Sequence, residues 1–194
     1  MEKLYGRIEA FAKEKLKGEM VTGIDHALRV WRWCEILAHG EDVDMDVLHA
    51  AAFLHDISVP TMGRKTHYED GARMAEGFLR EIGYPEEKLS SVLHAIRAHS
   101  RWGGPKCETQ EAKILRDSDV LEFLGAIGMV RGVLRGLEEG YKGDVSEAPA
   151  LLSGTKNKAG GKFYTKKAME IAEGRSKVME KFITRLREEL EFAK

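Results

Sequence analysis

The chain has few cysteines and prolines and no long apolar run, and each shortage argues against a class of protein. Its two cysteines, Cys34 and Cys107, lie far apart and outside any Cys-x-x-Cys pattern, which argues against a zinc ribbon or redox pair. Residues 1–5 are charged and lack the apolar core of a signal peptide, and no apolar stretch is long enough to span a bilayer. We therefore expect a cytoplasmic protein in a reducing environment.

Charge of one sign is also lacking, since the formal net charge is −1. The chain has no overall positive field that would attract nucleic acid or an anionic membrane. Lysines at positions 156, 158, 162, 166 and 167 form the only basic scatter, which is more typical of a solvated surface than of a polyanion site. Binding to nucleic acid or to a membrane is therefore not expected.

Proline is the third shortage, with four in 194 residues, and apolar residues recur at helical spacing. The sequence predicts an all-α protein without strands or internal repeats. We expect one domain over residues 1–194, with a core at about 20–137, an irregular segment or lid at 138–164 and a C-terminal helix at 165–193 that packs on the core. Glycines 125, 128, 132 and 136 predict a helix break near Gly125 to Gly128, or very close helix packing there.

An apolar run over residues 51–57 holds His55 and Asp56 side by side. Burying an imidazole and a carboxylate among apolar side chains is costly unless a charge meets them, and a divalent cation is the simplest such charge. Adjacent residues on a helix point about 100° apart, but at a helix end both can reach one cation between them. The pair therefore predicts one nitrogen ligand and one oxygen ligand of a metal site.

Further ligands are less clear from periodicity alone. His26 lies on the inward face of its helix with Val30 and Trp33, a pattern more typical of a structural core histidine than of a ligand. A fourth ligand should be an acid, and Asp117 and Asp119 are the candidates. These two are about 200° apart on a helix, so at most one of them faces the site. Helical periodicity does not choose between them.

The order His26, then His55-Asp56, then an aspartate in the 109–137 segment resembles the H…HD…D motif of the HD-domain metal-dependent phosphohydrolases. Residues 67–72, 95–100, 118–122 and 125–128 are similar to further stretches of that family (H-x-x-x-G-A, A-I-x-x-H-S, A-D-R-L-D and G-A-I-G). The resemblance covers about residues 23–131 and selects Asp119 over Asp117. It implies an HD-domain bundle of about six to eight helices, with metal ligands His26, His55, Asp56 and Asp119.

The resemblance implies hydrolysis of a phosphate ester of a nucleotide or similar small molecule. Mixed histidine and carboxylate ligands favour Mn, Ni, Fe, Co or Zn over Mg alone. Such a cation lowers the pKa of a bound water from about 15.7 towards about 7 and polarises a phosphoryl oxygen. Asp56 could hold or deprotonate that water. Phosphomonoesterase, phosphodiesterase and nucleotide pyrophosphohydrolase activities are not distinguished.

Basic residues near the motif are candidates for neutralising substrate phosphate: Arg64, Lys65, Arg97 and Arg101. Arg64 and Lys65 could equally be solvated loop charges. His67 and His99 are candidate catalytic residues. His99 would touch phosphate or ligate a second ion, whereas His67 could instead only cap its helix. Trp102, in the loop beside His99, is expected to be a packing group that could line a pocket.

Two departures from the family pattern keep other functions open. Val59 stands where related proteins often have an acid, and Val120 where many have a basic residue. Without a water-orienting acid, the chain could be a non-catalytic module that binds metal and nucleotide. An HD enzyme acting on nucleic acid is the third alternative. The sequence also allows a homodimer.

Overall fold

The computed structural model describes residues 1–101, 103–160 and 163–192, and its regular elements are helical throughout these ranges. The helices are, in chain order, α1 Glu2–Lys15, α2 Ile24–Ala38, α3 Met45–Leu54, α4 Val59–Met62, α5 His67–Glu81, α6 Glu86–Ala98, α7 Gln110–Leu121, α8 Gly125–Glu138, α9 Ala148–Ala159 and α10 Lys166–Leu190, with a 3-10 turn at Val145–Glu147. The predicted all-α class is confirmed. Trp102, predicted to be a packing group, lies outside the described residues.

The described chain has more helices than the expected six to eight, for two reasons. The 109–137 segment breaks where predicted, because Gly125 adopts a φ of +74° between α7 and α8. Two stretches expected to be irregular contain helices, the four-residue α4 and the 12-residue α9. The segment expected to be irregular at 138–164 therefore has less loop than its five glycines and one proline suggested.

The chain forms two compact units, of which the first spans Met1–Asp119 and the second begins at Val120. Helix α3 lies at the centre of the first unit, where it contacts α1, α2, α5 and α6. Every residue of α3 from Val47 to Leu54 is buried, so this helix is enclosed on all sides. Three alanines, Ala50, Ala51 and Ala52, are fully buried and allow neighbouring helices to approach closely.

Both ends of α3 are fixed by the sequence. Asp44 caps its N-terminus, where its Oδ1 accepts hydrogen bonds from the backbone N–H groups of Asp46 (2.9 Å) and Val47 (3.3 Å). At the other end the helix stops at Leu54, and His55 and Asp56 follow in a turn. The buried C-terminus of α3 thus places His55 and Asp56 inside the unit.

The second unit is built by α8, α9 and α10, which contact one another pairwise. Thr165 caps α10, its hydroxyl oxygen accepting from the N–H of Ala168 at 3.2 Å. Glycines on α8 allow α9 to come close to its backbone. No helix within the described ranges combines the length and apolar character that a membrane crossing requires.

The close approach of α8 and α9 can be tested with paired glycine substitutions. A Cβ at Gly132 would lie 2.5 Å from Thr155 Oγ1, which donates to the Leu151 carbonyl. We expect Gly132→Ala to lower the free energy of unfolding by about 1–2 kcal/mol. Gly154→Ala, where nothing lies within 4 Å, should raise it by up to about 1 kcal/mol. Urea unfolding followed by circular dichroism compares the two, and equal stabilisation by both would contradict the packing.

Candidate metal centre

Four helix termini or faces of the first unit bring histidines together around Asp56. His26 projects from the first turns of α2, His55 follows the last residue of α3, His67 begins α5, and His99 follows the last residue of α6. His26, His55 and His99 are at most 2% exposed, and Asp56 is 6% exposed. The cluster is therefore buried, and residues far apart in the sequence build it.

The two carboxylate oxygens of Asp56 face different histidines. Oδ2 lies 3.4 Å from His55 Nε2 and 3.8 Å from His26 Nε2. Oδ1 lies 3.7 Å from the Nε2 atoms of both His67 and His99. Asp56 thus joins two three-residue groups, and each group brings its ligand atoms within 4.8 Å of one another. Each of these groups could hold a metal ion.

Backbone contacts orient three of the four imidazoles. Nδ1 of His55 lies 2.8 Å from the Ala52 carbonyl oxygen, and Nδ1 of His67 lies 2.7 Å from that of Arg64. Nδ1 of His99 similarly lies 2.5 Å from the carbonyl oxygen three residues earlier. A carbonyl can only accept, so each Nδ1 donates and the neutral ring presents its Nε2 lone pair to the cluster.

The Nε2 atoms face one another in two pairs. His26 and His55 are separated by 3.4 Å between these atoms, and His67 and His99 by 3.1 Å. Two lone pairs at such distances repel unless a proton or a cation lies near them. The donor set of imidazole nitrogens and carboxylate oxygens suits a first-row divalent ion. The residues present therefore fit the metal that the sequence predicts.

Asp119 lies at the edge of this cluster, beside His26. Its Oδ1 is 3.2 Å from His26 Nε2, and its side chain is 14% exposed. Burial opposes its ionisation, but the hydrogen bond with His26 and that ring's charge hold the pKa of Asp119 well below its usual value. Asp117, the other candidate, is buried at 1% exposure. The choice of Asp119 thus agrees with its position next to a predicted ligand.

The electrostatics of the cluster call for positive charge. Burial disfavours the charged imidazolium of His55, but the charge of Asp56 and the hydrogen bond with it raise the pKa of His55 to about 9. Burial likewise disfavours the Asp56 carboxylate, yet His55 and His99 hold its pKa well below the usual range. A proton on His55 therefore supplies charge that a bound cation would otherwise provide.

His67 differs from His55 in its titration. Burial lowers the pKa of His67, and the attraction of Asp56 only partly opposes this. His67 is therefore protonated less readily than an ordinary histidine. Its ring contacts His99 edge to face, with centroids 5.0 Å apart. These two rings form the side of the cluster away from His26.

The glycine at position 71 lets α5 approach the end of α3. A Cβ at Gly71 would lie 3.1 Å from the His55 carbonyl oxygen and 3.6 Å from Ser58 Oγ. That hydroxyl donates to the His67 carbonyl at 3.0 Å, which ties the start of α5 to the turn after Asp56. The H-x-x-x-G-A stretch recognised in the sequence thus has a physical role, which is to bring His67 next to Asp56.

Two of the predicted substrate-binding residues have carboxylate partners. Arg64 donates to Glu19 Oε1 at 2.8 Å and to Thr22 Oγ1 at 3.4 Å. Arg97 donates through Nε to both Glu69 oxygens, at 3.0 and 3.2 Å. Lys65 is exposed on the loop before α5. Arg64 and Arg97 would have to leave or share these acids to bind a phosphate.

Arg101 lies in the electrostatic surroundings of the cluster. Burial and the like charge of Arg116 lower its pKa, whereas Asp119 raises it. Arg116 was not among the residues predicted for the site. Its Nη1 lies 3.4 Å from the Ala98 carbonyl oxygen and 3.3 Å from that of Ser100, the two carbonyls that flank His99. The sequence contained one indication of this role. Arg116 lies three residues before Asp119, so both residues are on the same side of α7.

The two departures from the family pattern are both buried valines. Val59 is 6% exposed at the start of α4, and Val120 is 6% exposed in α7. Neither side chain can hold a proton or a cation. The water-orienting acid that related proteins often carry has no substitute at position 59.

Comparison with known proteins agrees with this geometry. A family model described as "HD domain" matches residues 23–124. A Lactobacillus plantarum protein superposes with a TM-score of 0.80 at 22% identity, covering 98% of each chain. A predicted HD superfamily hydrolase from an uncultured Thermotogales bacterium gives 0.68 at 25% identity, covering 95% of this chain and 92% of that one. Bacillus subtilis YpgQ, solved in complex with ADP, gives 0.71 at 23% identity, covering 97% and 95%.

The family match spans more than half of the chain and includes all four predicted metal ligands. The structural neighbours share the helical fold over nearly their whole length. Together with the buried cluster of histidines around Asp56, these matches show that the chain belongs to the HD-domain family.

Proposed function

We propose that the chain is a cytoplasmic, metal-dependent phosphohydrolase that acts on a nucleotide or another small phosphate ester. The observation that carries the proposal is the pair of facing Nε2 atoms, of His26 and His55, beside one buried carboxylate, Asp56. Such an arrangement requires a positive charge and offers ligands for it. The cytoplasmic location is supported by Cys34 and Cys107, two buried thiols outside any Cys-x-x-Cys pattern.

The metal would be held by His26, His55, Asp56 and Asp119. When bound, a divalent cation activates water and polarises a phosphoryl oxygen. Manganese, nickel, iron, cobalt or zinc would suit these ligands better than magnesium alone. The hydrogen bond from His55 Nδ1 to the Ala52 carbonyl fixes the ring, so that its Nε2 would be available as a ligand.

On the other side of Asp56, His67 and His99 would act on the substrate. Their Nε2 atoms lie 3.7 Å from Asp56 Oδ1, so a phosphoryl group bound beside Asp56 would be within their reach. Asp56 Oδ1 would accept a hydrogen bond from the attacking water and hold its proton. Burial lowers the pKa of His67, so its neutral Nε2 would accept that proton from Asp56 Oδ1, 3.7 Å away, and pass it to the leaving oxygen.

The substrate class is supported by basic side chains and by one neighbour. Arg101, close to Asp119, could neutralise a phosphate, as could Arg64, Lys65 and Arg97. YpgQ was solved with ADP, a nucleotide with two phosphates. The proposal therefore favours nucleotides, and it includes monoester, diester and pyrophosphate bonds.

A non-catalytic module that binds metal and nucleotide is the second candidate, and Val59 favours it. A buried valine cannot orient a water where related proteins often use an acid. Saturable nucleotide binding with the ligand recovered unchanged would support this candidate over the enzyme. Both candidates use the same metal site, so turnover is the measurement that separates them.

The enzyme proposal predicts different effects for the same kind of substitution at Asp56 and at an exposed acid. Asp56→Ala should abolish metal-dependent phosphate release, a loss of at least about a thousandfold, because it removes both the ligand and the water partner. Asp25→Ala, on the exposed side of α2 next to His26, should retain activity. Purified, metal-loaded proteins are assayed for phosphate release on a panel of nucleotides and generic phosphate esters. Absence of release by the wild type, or equal release by Asp56→Ala, would refute the proposal.

The assignment of one metal to the His26 side of Asp56 predicts different results for two histidines. His26→Ala should lose bound metal, whereas His99→Ala should keep one equivalent per chain and lose turnover. Elemental analysis after gel filtration measures the metal content. If the wild type held two equivalents and His99→Ala one, a second cation on the His67 and His99 side would replace the proposed single-metal arrangement.

The raised pKa of His55 predicts that metal binding releases a proton. Below about pH 9 the ring is mostly protonated in the metal-free protein, and that proton must leave before Nε2 can bind a cation. Apparent metal affinity should therefore rise with pH, by up to about tenfold per unit, and level off near pH 9. Titration calorimetry at pH 7 in buffers of different ionisation enthalpy counts the protons. No release at pH 7 would contradict the account.

A further inference from the structure

Helix α8 presents its glycines to its neighbour and its large apolar side chains to solvent. Added Cβ atoms at Gly132 and Gly136 would lie 2.5 Å from Thr155 Oγ1 and 3.1 Å from a Leu151 methyl group, both on α9. The side of α8 that packs in the second unit is therefore nearly without side chains. An ordinary amphipathic helix has the opposite arrangement, with its apolar residues inward.

The apolar side chains on the opposite side form what we call the outer stripe: Ile127, Val130, Leu134 and Leu137. Their spacing of three, four and three residues follows a helical seam, centred about 180° from the glycine face. Val130 is 59% exposed and Leu137 58%, while Ile127 is 37% exposed. Leu134 is half-buried, and with these three exposed side chains it forms an aligned apolar surface that we infer another molecule covers.

The outer stripe is free of charge along its length. Between Ala126 and Leu137 the only charged residues are Arg131 and Arg135. Arg131 is 8% exposed, with its guanidinium 5.5 Å from the Phe123 ring centroid. Arg135 pairs with Glu139, the residue that follows the helix. Helix α10 also exposes apolar residues, but there charged residues interrupt them, so α8 is the better docking surface.

We propose that the outer stripe pairs with the same stripe of a second copy of this chain, in antiparallel orientation, about a two-fold axis at the level of Gly132. In this arrangement each residue lies opposite the residue that is equally far from Gly132 on the other side. Ile127 would lie opposite Leu137 of the second copy, and Val130 opposite Leu134 of the second copy. Such an isologous contact closes on itself and leaves no unpaired stripe.

The charges at the ends of α8 favour the antiparallel orientation. Its first turn contains no acidic residue, and its N-terminus has no side-chain cap. Its last residue is Glu138, followed by Glu139, where acids are unfavourable to the helix dipole. An antiparallel pair brings Glu138 of each copy to the N-terminus of the other copy's α8. There its negative charge interacts favourably with the helix dipole. A parallel pair would bring like ends together.

The size of the stripe indicates a reversible dimer. Its apolar side chains expose roughly 300 Å² per copy, well under half of the roughly 800 Å² that each partner buries in a standard stable interface. We therefore expect association that depends on concentration, with a dissociation constant on the order of 10–100 μM.

Sedimentation equilibrium of the full chain, from about 10 μM to about 1 mM, tests the association. The wild type should dimerise, and Val130→Glu should raise the dissociation constant at least about tenfold, because dimerisation would bury its carboxylate. Val178→Glu, at a similarly exposed position on α10, should leave the constant unchanged. Circular dichroism verifies that each variant is folded. A wild type that remains monomeric at about 1 mM, or a folded Val130→Glu that dimerises normally, overturns the proposal.

Disulfide cross-linking tests the register and does not depend on the folding of Val130→Glu. Ile127→Cys and Leu137→Cys are prepared separately, one with a mass tag, and oxidised mildly alone and mixed, with the wild type as the blank. The antiparallel pair predicts cross-linking in the mixture only, since each cysteine lies about 15 Å along the axis from its own copy. Cross-linking of each variant with itself, or none in the mixture, contradicts the proposed pairing.

Discussion

The buried carboxylate of Asp56 is the interaction on which the first unit of this protein depends. Four imidazoles turn their Nε2 atoms towards it or towards one another at distances of 3.1–3.8 Å. Without positive charge this arrangement would combine a desolvated anion with repelling lone pairs. A proton on His55 relieves the repulsion in part, and a divalent cation would relieve it more completely.

The helical scaffold serves this cluster by bringing helix ends to one place. Helix α3 is buried on every side and stops at Leu54, so His55 and Asp56 emerge inside the unit and not at its surface. Gly71 then allows α5 to approach the His55 carbonyl, which brings His67 into reach. Backbone carbonyls near three of the Nδ1 atoms orient the rings. The contacts that pack these helices together therefore also position the histidines around Asp56.

Most helices and the order of the motif residues could be predicted, because apolar periodicity and residue order can be read directly from the sequence. The apolar run around His55 and Asp56 predicted that this pair is buried. The low helix propensity of glycine predicted the break at Gly125. Pairing partners could not be predicted. Arg64 and Arg97 contact acids that are 45 and 28 residues away in the chain. Arg116 was missed because its role depends on the carbonyls around His99. Helix α9 was not predicted, because the glycines around it indicated an irregular segment.

The central claim is that the Asp56 cluster is a metal site, and anomalous diffraction from a manganese-soaked crystal tests it most directly. We predict one strong peak about 2.0–2.3 Å from His26 Nε2, His55 Nε2 and an Asp56 oxygen. A well-diffracting crystal soaked in excess manganese that gives no peak within the cluster, or peaks only at surface carboxylates, would contradict it.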